Sequence, residues 1–337
     1  MSKAWYLQSG AEGDIVLSTR VRLARNLEEY PFPMRLDTAG HARVCKEIGD
    51  ALGEDSGFRA VDMEELSPVM AASLAEKHLI SPEFASNRKN RRLLISEDAS
   101  ISIMLCEEDH IRLQVLMAGL ALREALDCAN ELEGKLAEKL SFAYDERIGY
   151  LTQCPTNLGT ALRASVMLHL PALTRLRQIP RLAQTVAKLG LTIRGAFGEG
   201  STPAGDFYQL SNQVTLGITP DAAIDNLAAI TRQLILQERK AQKRLCEDIT
   251  NQDSVFRAAG TLQSARVLGS QELLQLLSLV RMGAAQGLLP IKTQWLNEQL
   301  INLLPASLAV ANGGKLSPEE RDILRAQKMR EAFADAQ

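Results

Sequence analysis

Two arginines in a strand-like segment near the amino terminus are the first residues whose spacing suggests chemistry. The run Ser18-Thr19-Arg20-Val21-Arg22 places Arg20 and Arg22 two positions apart. On a β-strand such residues project from the same face, so both guanidinium groups would point the same way. Guanidinium groups offer paired donors to phosphate oxygens and never lose their charge. The segment is therefore either a polyanion site or a solvated strand face, the usual fate of long charged side chains.

Three further segments carry side chains that could take part in catalysis. Residues 106–112 read CEEDHIR, and three crowded carboxylates are tolerable if they are solvated or if they face a cation such as a guanidinium. Residues 154–163 read CPTNLGTALR, where Cys154 is either an activated thiol or inert packing. Residues 193–201 read IRGAFGEGS, a glycine-rich loop that either closes over a ligand or is only a turn.

The common nucleotide-binding motifs are missing from the sequence. No G-x-x-x-x-G-K-[ST] run occurs, and the stretch GAFGEG at 195–200 has the reverse of the dinucleotide-binding spacing. The H-R-D motif of eukaryotic protein kinases is also missing. A phosphate site in this chain must therefore be built without a glycine cradle.

Together, the segments STRVR, EEDHIR, CPTNLGTALRAS and RGAFGE stand in the order found in guanidino (phosphagen) kinases, and residues 14–243 resemble the catalytic domain of that family. The resemblance implies ATP and Mg²⁺ as cofactors, with the metal held by phosphates and water rather than by a protein site. It implies that Glu108 is the main catalytic carboxylate, that Glu199 is a second carboxylate gripping the substrate guanidinium, and that Cys154 lies against it. It further implies that the ATP phosphates are surrounded by Arg20, Arg22, Arg112, Arg163 and Arg194, with Ser18 beside them.

The implied reaction has a clear chemical requirement. A guanidinium nitrogen is a poor nucleophile because its lone pair is delocalised and its pKa lies above about 12. A base must therefore remove a proton as the nitrogen attacks phosphorus, and Glu108 suits that role. Met167 and Gln209 stand where animal members of the family have a histidine near the adenine and an aspartate near the ribose, which bears on nucleotide affinity more than on activity.

Within the family, the chain is most similar to the bacterial protein-arginine kinases. Only seventeen residues precede Ser18, whereas creatine and arginine kinases carry a helical domain there, and the stretches GEGS and YQLSNQ match the bacterial branch. The resemblance implies phosphorylation of exposed arginines on proteins, which would mark them for Clp chaperone-protease degradation in a stress response. A zinc-binding activator protein and a homodimeric state are implied in the same way. The alternatives are a small-molecule arginine kinase and a catalytically silent phosphoarginine-binding adaptor.

The carboxyl-terminal segment RDILRA contains a second candidate site. On a helix, Arg321 and Arg325 lie one turn apart with Asp322 beside them, so the arginines could hold a phosphate and the aspartate a guanidinium. For an anonymous helix, a solvated charged face is the ordinary interpretation. The segment resembles the phosphoarginine-sensing motif of the bacterial branch, which implies an allosteric phosphoarginine site.

Composition excludes several classes of protein. The 337 residues carry 38 Lys plus Arg against 41 Asp plus Glu, a net charge of -3, and such a balance argues against a nucleic-acid-binding protein. No secretory signal and no run of about 18 apolar residues is visible, so we expect a cytoplasmic protein with no membrane partner. The five cysteines are scattered singly, which indicates free thiols rather than disulfides or zinc.

The elements that must position these residues indicate an α+β fold. We predict a mainly antiparallel β-sheet flanked by helices over residues 1–250 and a small all-α domain of about four helices over 251–337. Predicted strands are 15–17, 58–63, 92–96, 100–106 and 192–197; predicted helices are 120–140, 159–170, 181–189 and 221–248. Helix ends are expected at Gly260, Gly269, Gly287 and Pro290, with a last helix starting near Ser317.

Overall fold

The computed structural model describes residues 4–53, 57–196 and 203–336, so the position predicted for Glu199 lies outside the described residues. Its strands are β1 (Val16–Arg25), β2 (Phe58–Asp62), β3 (Arg92–Ser96), β4 (Ile101–Leu105), β5 (Ile111–Ala118), β6 (Tyr144–Asp145), β7 (Gly149–Tyr150), β8 (Leu162–His169), β9 (Leu191–Gly195) and β10 (Phe207–Asn212). Its helices are α1 (Thr38–Leu52), α2 (Pro68–Glu76), α3 (Pro82–Ser86), α4 (Leu122–Ala137), α5 (Pro171–Arg175), α6 (Ile179–Ala187), α7 (Pro220–Cys246), α8 (Ile249–Ser264), α9 (Ser270–Ala285), α10 (Thr293–Asn302), α11 (Pro305–Ala311) and α12 (Pro318–Ala336).

An antiparallel sheet of eight strands forms the centre of the molecule. Its strand order is β2-β3-β4-β5-β1-β8-β10-β9, while β6 and β7 pair separately as a hairpin. Strand β1 is central and pairs antiparallel with β5 on one side and β8 on the other. The predicted α+β class with a mainly antiparallel sheet is confirmed.

One face of the sheet is covered by helices α1, α4, α6 and α7. Apolar side chains such as Val21 and Leu113 of the sheet pack there against Ile48 of α1, Leu126 of α4 and Leu227 of α7. Helix α7 starts where the sequence predicts, because the Thr219 hydroxyl accepts a hydrogen bond from a backbone N–H of the first turn and a proline follows it. A functional site on the sheet must therefore lie on the opposite face.

The carboxyl-terminal helices pack on the second face and share a core with it. Met104 and Phe207 of the sheet belong to one apolar cluster with Leu277 of α9 and Leu300 of α10. The region contains five helices, α8 to α12, where about four were predicted. Helix α8 passes through Gly260, where an end was expected, since an exposed glycine inside a helix costs only about 1 kcal/mol. Over the described ranges, none of the helices combines the length and apolar character needed to cross a bilayer.

The helix predicted over 159–170 is wrong, because Leu162–His169 is strand β8. This strand lies between β1 and β10, and its core residues Leu162, Ala164, Val166 and Leu168 alternate with Arg163, Ser165, Met167 and His169. Leu162, Val166 and Leu170 also recur every four residues, a spacing that fits one face of a helix equally well. Just before the strand, Gly159 and Ala161 adopt positive φ angles of 101° and 48°, which no helix contains.

Candidate active site

The arginines predicted to bind phosphate lie on one face of the sheet. In the strand register, Arg22 of β1 stands opposite Arg163 of β8, and directly paired residues share a face. Arg20 lies two residues before Arg22, and Arg112 of β5 pairs with Ala24, two residues after it. Antiparallel pairing thus places arginines from three adjacent strands on one side, as the i, i+2 spacing in the sequence predicted for β1.

These arginines meet the acidic turn in a cleft of about 170 Å³. Its lining includes Arg22, Arg112 and Arg163 from the sheet, together with Glu108 and Cys154 from loops. Arg194 of β9 is exposed, and its charge is close enough to Arg163 to lower the pKa of that guanidinium, after burial and Arg112. The structure therefore brings Arg22, Arg112, Arg163, Glu108 and Cys154 together in the cleft. Arg194 does not line it, and Arg20 and Ser18 line another cavity.

Arg20 and Ser18 line a second, much smaller cavity of about 10 Å³. His78, Met167 and Gln209 line the same cavity. The guanidinium of Arg20 donates to Oε1 of Gln209 over 2.8 Å. The cavity continues the arginine row on the same sheet face, because Arg20 of β1 stands opposite Ser165 of β8, and Ser165 is two residues after Arg163.

The electrostatics of the cleft favour an anionic ligand. Removal from water, and then the nearby charge of Arg112, lower the pKa of Arg20 to about 10. Burial, followed by repulsion from Arg20, Arg112 and Arg163, holds the pKa of Arg22 well below its usual value. The Nε atom of Arg22 is buried with no hydrogen-bond partner. Phosphate oxygens would supply both the missing acceptor and the negative charge.

The acidic turn separates the roles of its two glutamates. Glu107 is buried, accepts from the Ser81 hydroxyl and forms an ion pair with Arg112. Burial alone would raise its pKa, but Arg112 and Ser81 outweigh burial and lower it. Glu107 is thus committed to structure. No signal in the sequence marked Ser81.

Glu108 faces the cleft. Burial, together with repulsion from Asp109, raises the pKa of Glu108, while a hydrogen bond from the Cys154 thiol opposes the rise. The Cys154 sulfur lies 3.1 Å from the Thr156 hydroxyl in the turn that begins at Pro155. A carboxylate with a raised pKa beside a thiol and guanidinium groups is suited to accept a proton.

Asp109 and His110 hold the turn in place. Asp109 accepts from Nδ2 of Asn26 over 2.7 Å and from the backbone N–H of Gln153 over 2.9 Å. The Nδ1 atom of His110 accepts from the Leu27 backbone N–H, so Nε2 carries the hydrogen and donates to a carbonyl 3.0 Å away. Burial lowers the pKa of His110 to about 4. The ring is neutral and structural, and Asn26 is a scaffold residue that sequence reasoning missed.

The predicted phosphoarginine motif lies in a separate pocket of about 640 Å³ between α9 and α12. Arg321, Asp322 and Arg325 line it, and Glu272 and Gln275 form part of the opposite wall. Arg325 is buried, and its guanidinium donates to two backbone carbonyls and to Asp322. These hydrogen bonds stabilise the tail. The Nε atom of Arg321 is buried without a hydrogen-bond partner. Arg321 is thus the member of the motif whose Nε–H group has no acceptor among the described residues.

Comparisons with known proteins cover both parts of the chain. The family model described as ATP:guanido phosphotransferase, C-terminal catalytic domain, matches residues 41–241. A second model, described as Protein-arginine kinase McsB C-terminal domain, matches residues 248–337. A protein-arginine kinase of Geobacillus stearothermophilus is 44% identical over 336 residues, covering 97% of this chain and 93% of that protein. One from Brevibacillus brevis is 42% identical over 335 residues, covering 97% and 94%.

Solved structures share the fold of the catalytic part. The duplicated taurocyamine kinase from Schistosoma mansoni, with bound transition state analog components, aligns with a TM-score of 0.60 and 28% identity over 66% of this chain and 33% of that one. A crystal structure of lombricine kinase aligns with a TM-score of 0.60 and 23% identity over 71% of both chains. The chain therefore belongs to the ATP:guanido phosphotransferase family, in the group of the protein-arginine kinases.

Proposed function

We propose that this protein transfers the γ-phosphoryl group of ATP to arginine side chains of proteins. The observation that carries the proposal is the convergence of Arg22, Arg112 and Arg163 with Glu108 in one cleft, where, among the described residues, only Arg112 of the three arginines forms an ion pair. Clustered cations raise the free energy of the empty cleft, and a polyanion relieves it. The relatives named protein-arginine kinase support a protein acceptor.

The two cavities suggest how ATP lies. Arg20 and Arg22 stand two residues apart on β1, roughly 7 Å, which is on the scale of neighbouring phosphate groups. The small cavity at Ser18 and Gln209 lies beyond Arg20, and Glu108 lies in the cleft with Arg22. We place the nucleoside toward Ser18 and the γ-phosphate toward Glu108. The arginine forks would neutralise the charge that develops on the equatorial oxygens.

The reaction needs one base and a fixed acceptor. Glu108 takes a proton from a guanidinium nitrogen as that nitrogen attacks the γ-phosphorus; the N–P bond forms and the bond to the ADP oxygen breaks. Glu199 is proposed to hold the guanidinium plane from the other side, and Cys154 to lie against it. Orientation of this kind can lower the barrier by up to ~7–11 kcal/mol.

Magnesium fits the cleft only as a companion of the nucleotide. In the described part of the chain no group of three or more His, Cys, Asp or Glu side chains could hold a metal. Glu107 forms an ion pair with Arg112, and Asp109 accepts a hydrogen bond from Asn26. Glu108 is therefore the carboxylate of the acidic turn that is left to face a ligand. When bound, Mg²⁺ would neutralise phosphate charge, held by phosphate oxygens and water.

The test is to incubate the chain with ATP, Mg²⁺ and an unfolded arginine-containing protein, and to map phosphoarginine by mass spectrometry without acid. Glu108→Gln should lower turnover about 10²–10⁴-fold, the usual contribution of a general base. Glu146→Gln, at an exposed carboxyl, is the control and should turn over normally. Transfer to free arginine but not to protein would favour a small-molecule kinase, and no transfer by any form would favour a silent adaptor.

We further propose that the tail pocket binds phosphoarginine, with the buried Nε of Arg321 as the supporting observation. Arg321→Ala should weaken binding of a phosphoarginine peptide at least about tenfold, since charge-assisted hydrogen bonds are the strong ones. Lys328→Ala, an exposed cation on the same helix, is the control. Equal losses in both variants on isothermal titration would remove the pocket from consideration.

The remaining expectations are proposals from the family resemblance. We infer a division near residue 250, between a catalytic part over 1–250 and a helical part over 251–337. A homodimer, a zinc-binding activator, Clp chaperone-protease partners and a cytoplasmic location remain hypotheses. Light scattering on the purified chain tests the first of these directly.

A further inference from the structure

Helix α9 of the tail supports the base of the loop that joins β9 to β10. The base is closed by backbone hydrogen bonds from Ala196 to Phe207 and from Ala204 to Ala196. Gly205 adopts a φ of +65°, and a Cβ atom there would lie 2.5 Å from the Leu274 carbonyl oxygen of α9. Only glycine allows so close an approach. The catalytic sheet and the tail thus meet backbone to backbone at this point.

A chain of side-chain hydrogen bonds crosses the same contact. Arg281 of α9 contacts Nδ1 of His169, at the end of β8, over 3.0 Å. The Nε2 atom of His169 lies 2.9 Å from the Ser278 hydroxyl, and that hydroxyl lies 2.6 Å from Oδ2 of Asp206. Asp206 comes directly before β10.

The direction of every bond in this chain is fixed by chemistry. An arginine can only donate, so Nδ1 of His169 accepts and Nε2 carries the hydrogen. The Ser278 oxygen accepts from Nε2, and the serine hydrogen must therefore go to Asp206. Burial and the charge of Arg281 hold the pKa of His169 well below its usual value, which agrees with a neutral ring.

The arrangement contains Ser, His and Asp but is no hydrolytic triad. In such a triad the histidine accepts the serine proton, whereas here His169 donates to Ser278. Ser278 is 0% exposed, so no substrate can reach its hydroxyl. This chain of hydrogen bonds is a structural scaffold. Arg281 anchors it further by donating to the Gly13 and Asp14 carbonyls, each over 2.7 Å.

The scaffold bears on the proposed active site through β10. Three residues after Asp206, Gln209 accepts from Arg20, and it stands opposite Arg194 of β9 in the register. A shift at Asp206 would therefore move Gln209, its contact with Arg20 and the strand pair that carries Arg194. Misplacement by about 1 Å can slow a reaction about 10²-fold even when its cause is remote.

We propose that Ser278 and Asp206 are positioning residues for phosphoryl transfer, which fix the β9–β10 pair and through it Arg194 and Gln209. The inference deepens the proposed kinase function and rests on it. It adds that a tail residue remote from the arginine cleft controls the rate of phosphoryl transfer. A purely structural serine would change stability and leave the turnover of folded enzyme as it was.

The experiment compares Ser278→Ala with Ser307→Ala at a temperature where circular dichroism shows all forms folded. Ser307 is a matched control, since it is also a buried tail serine and its hydroxyl contacts Ser73, away from the loop. We expect kcat of Ser278→Ala to fall about tenfold or more, with the Kd for ATP changed less than about threefold, because Arg22, Arg112 and Arg163 lie on strands other than β9 and β10. Asp206→Asn keeps an acceptor oxygen and tolerates the φ of +61°, so it should retain most of kcat.

Each result either supports or overturns the positioning role of Ser278. Wild-type turnover in Ser278→Ala, or an equal fall in Ser307→Ala, would overturn the positioning role while the kinase function stood. Absence of phosphoarginine with the wild-type chain would overturn both. If Ser278→Ala does not fold, Ser278→Cys takes its place, since a thiol fills the site but donates weakly; full activity in that variant would equally refute the proposal.

Discussion

Adjacent residues of the acidic turn have opposite electrostatic surroundings. Arg112 and Ser81 outweigh burial and lower the pKa of Glu107, whereas burial and Asp109 raise the pKa of Glu108. Neighbouring carboxyl groups with separated pKa values are typical of a site that assigns one to structure and one to proton transfer. The sequence showed three acidic residues in a row, but only the fold shows that Glu107 and Asp109 are buried while Glu108 is half-buried at the cleft.

The pH dependence of turnover follows from this difference. A general base must be ionised, so kcat/KM should rise with pH through the pKa of Glu108, above the value of about 4.3 for an ordinary glutamate. Cys154→Ala removes a donor that lowers this pKa, and the rising limb should move to higher pH. Cys154→Ser keeps a donor and should leave the limb near its original position. ADP release, measured across pH in all three forms, gives the profiles; identical limbs would show that the thiol does not act on Glu108.

We expect the proposed phosphate-binding role of Arg22 to come at the expense of stability. Its guanidinium is drawn out of water among three other cations, and its Nε has no hydrogen-bond partner. Replacing a poorly compensated buried charge by an apolar side chain of similar volume is often neutral or stabilising by about 1–4 kcal/mol. Arg22→Met should therefore unfold no earlier than wild type while its KM for ATP rises at least about tenfold. Urea titration and steady-state kinetics measure both, with the exposed Arg59→Met as control, and a large loss of stability would contradict this account.

At the scale of elements, local pattern predicted several helices and strands close to their observed bounds. Helix α7, predicted over 221–248, runs from Pro220 to Cys246, and strand β3 has the predicted bounds. Strand β8 was mistaken for a helix because Leu162, Val166 and Leu170 also fit helical spacing, which concealed the alternation of the strand. The location of the arginine row could thus be predicted from the i, i+2 spacing on β1, whereas the contribution of β8 to it could not.

Glu238 joins two such elements and gives α7 a pH-sensitive contact. Its side chain is 0% exposed and accepts from the backbone N–H groups of Ala172 and Leu173 at the start of α5. Burial raises the pKa of Glu238 to about 7. Between about pH 4.3 and pH 7 the folded chain then binds more proton than the unfolded chain, so the free energy of unfolding falls as pH rises through this window.

Glu238→Gln isolates this contribution. The stability advantage of the wild-type chain over the variant should shrink between about pH 5 and pH 7 by up to about 3 kcal/mol in urea titrations. Glu138→Gln, at an exposed carboxyl, should show no such trend. An advantage that grows with pH would mean that the amide donors of Ala172, Leu173 and Gln242 keep the carboxylate ionised.

At the scale of the whole molecule, the order of four motifs predicted the family, but no local pattern predicted how the tail attaches. Ser278 meets Asp206, and Arg281 meets Gly13, across separations of 72 and 268 positions. Such contacts leave no periodic signal, since Ser278 and Arg281 are single polar residues among apolar neighbours on α9. The predicted boundary near residue 250 marks a change in the character of the sequence. The apolar cluster that contains Met104 and Leu277 nevertheless has residues on both sides of it.

A shared core predicts that the two parts unfold together. The chain has 2 tryptophans. Trp5 at the amino terminus and Trp295 of α10 lie on either side of that boundary and in the same core. Trp5 donates from its indole to the Lys77 carbonyl over 3.1 Å, and Trp295 packs edge-to-face on Phe333, with centroids 5.0 Å apart. If the core is one cooperative unit, loss of any part exposes apolar surface on the rest and lowers its stability as well.

The measurement is urea unfolding followed by far-ultraviolet circular dichroism and by the fluorescence of two single-tryptophan variants, Trp5→Phe and Trp295→Phe. For each variant the two signals should share one midpoint. Leu277→Ala, which removes buried side-chain volume on α9, should shift both together by about 2–5 kcal/mol. A tail that unfolded first would show the Trp295 fluorescence changing at lower urea than the circular dichroism. In that case residues 251–337 would be an independent unit, and the Ser278 scaffold would be a contact between domains rather than part of one core.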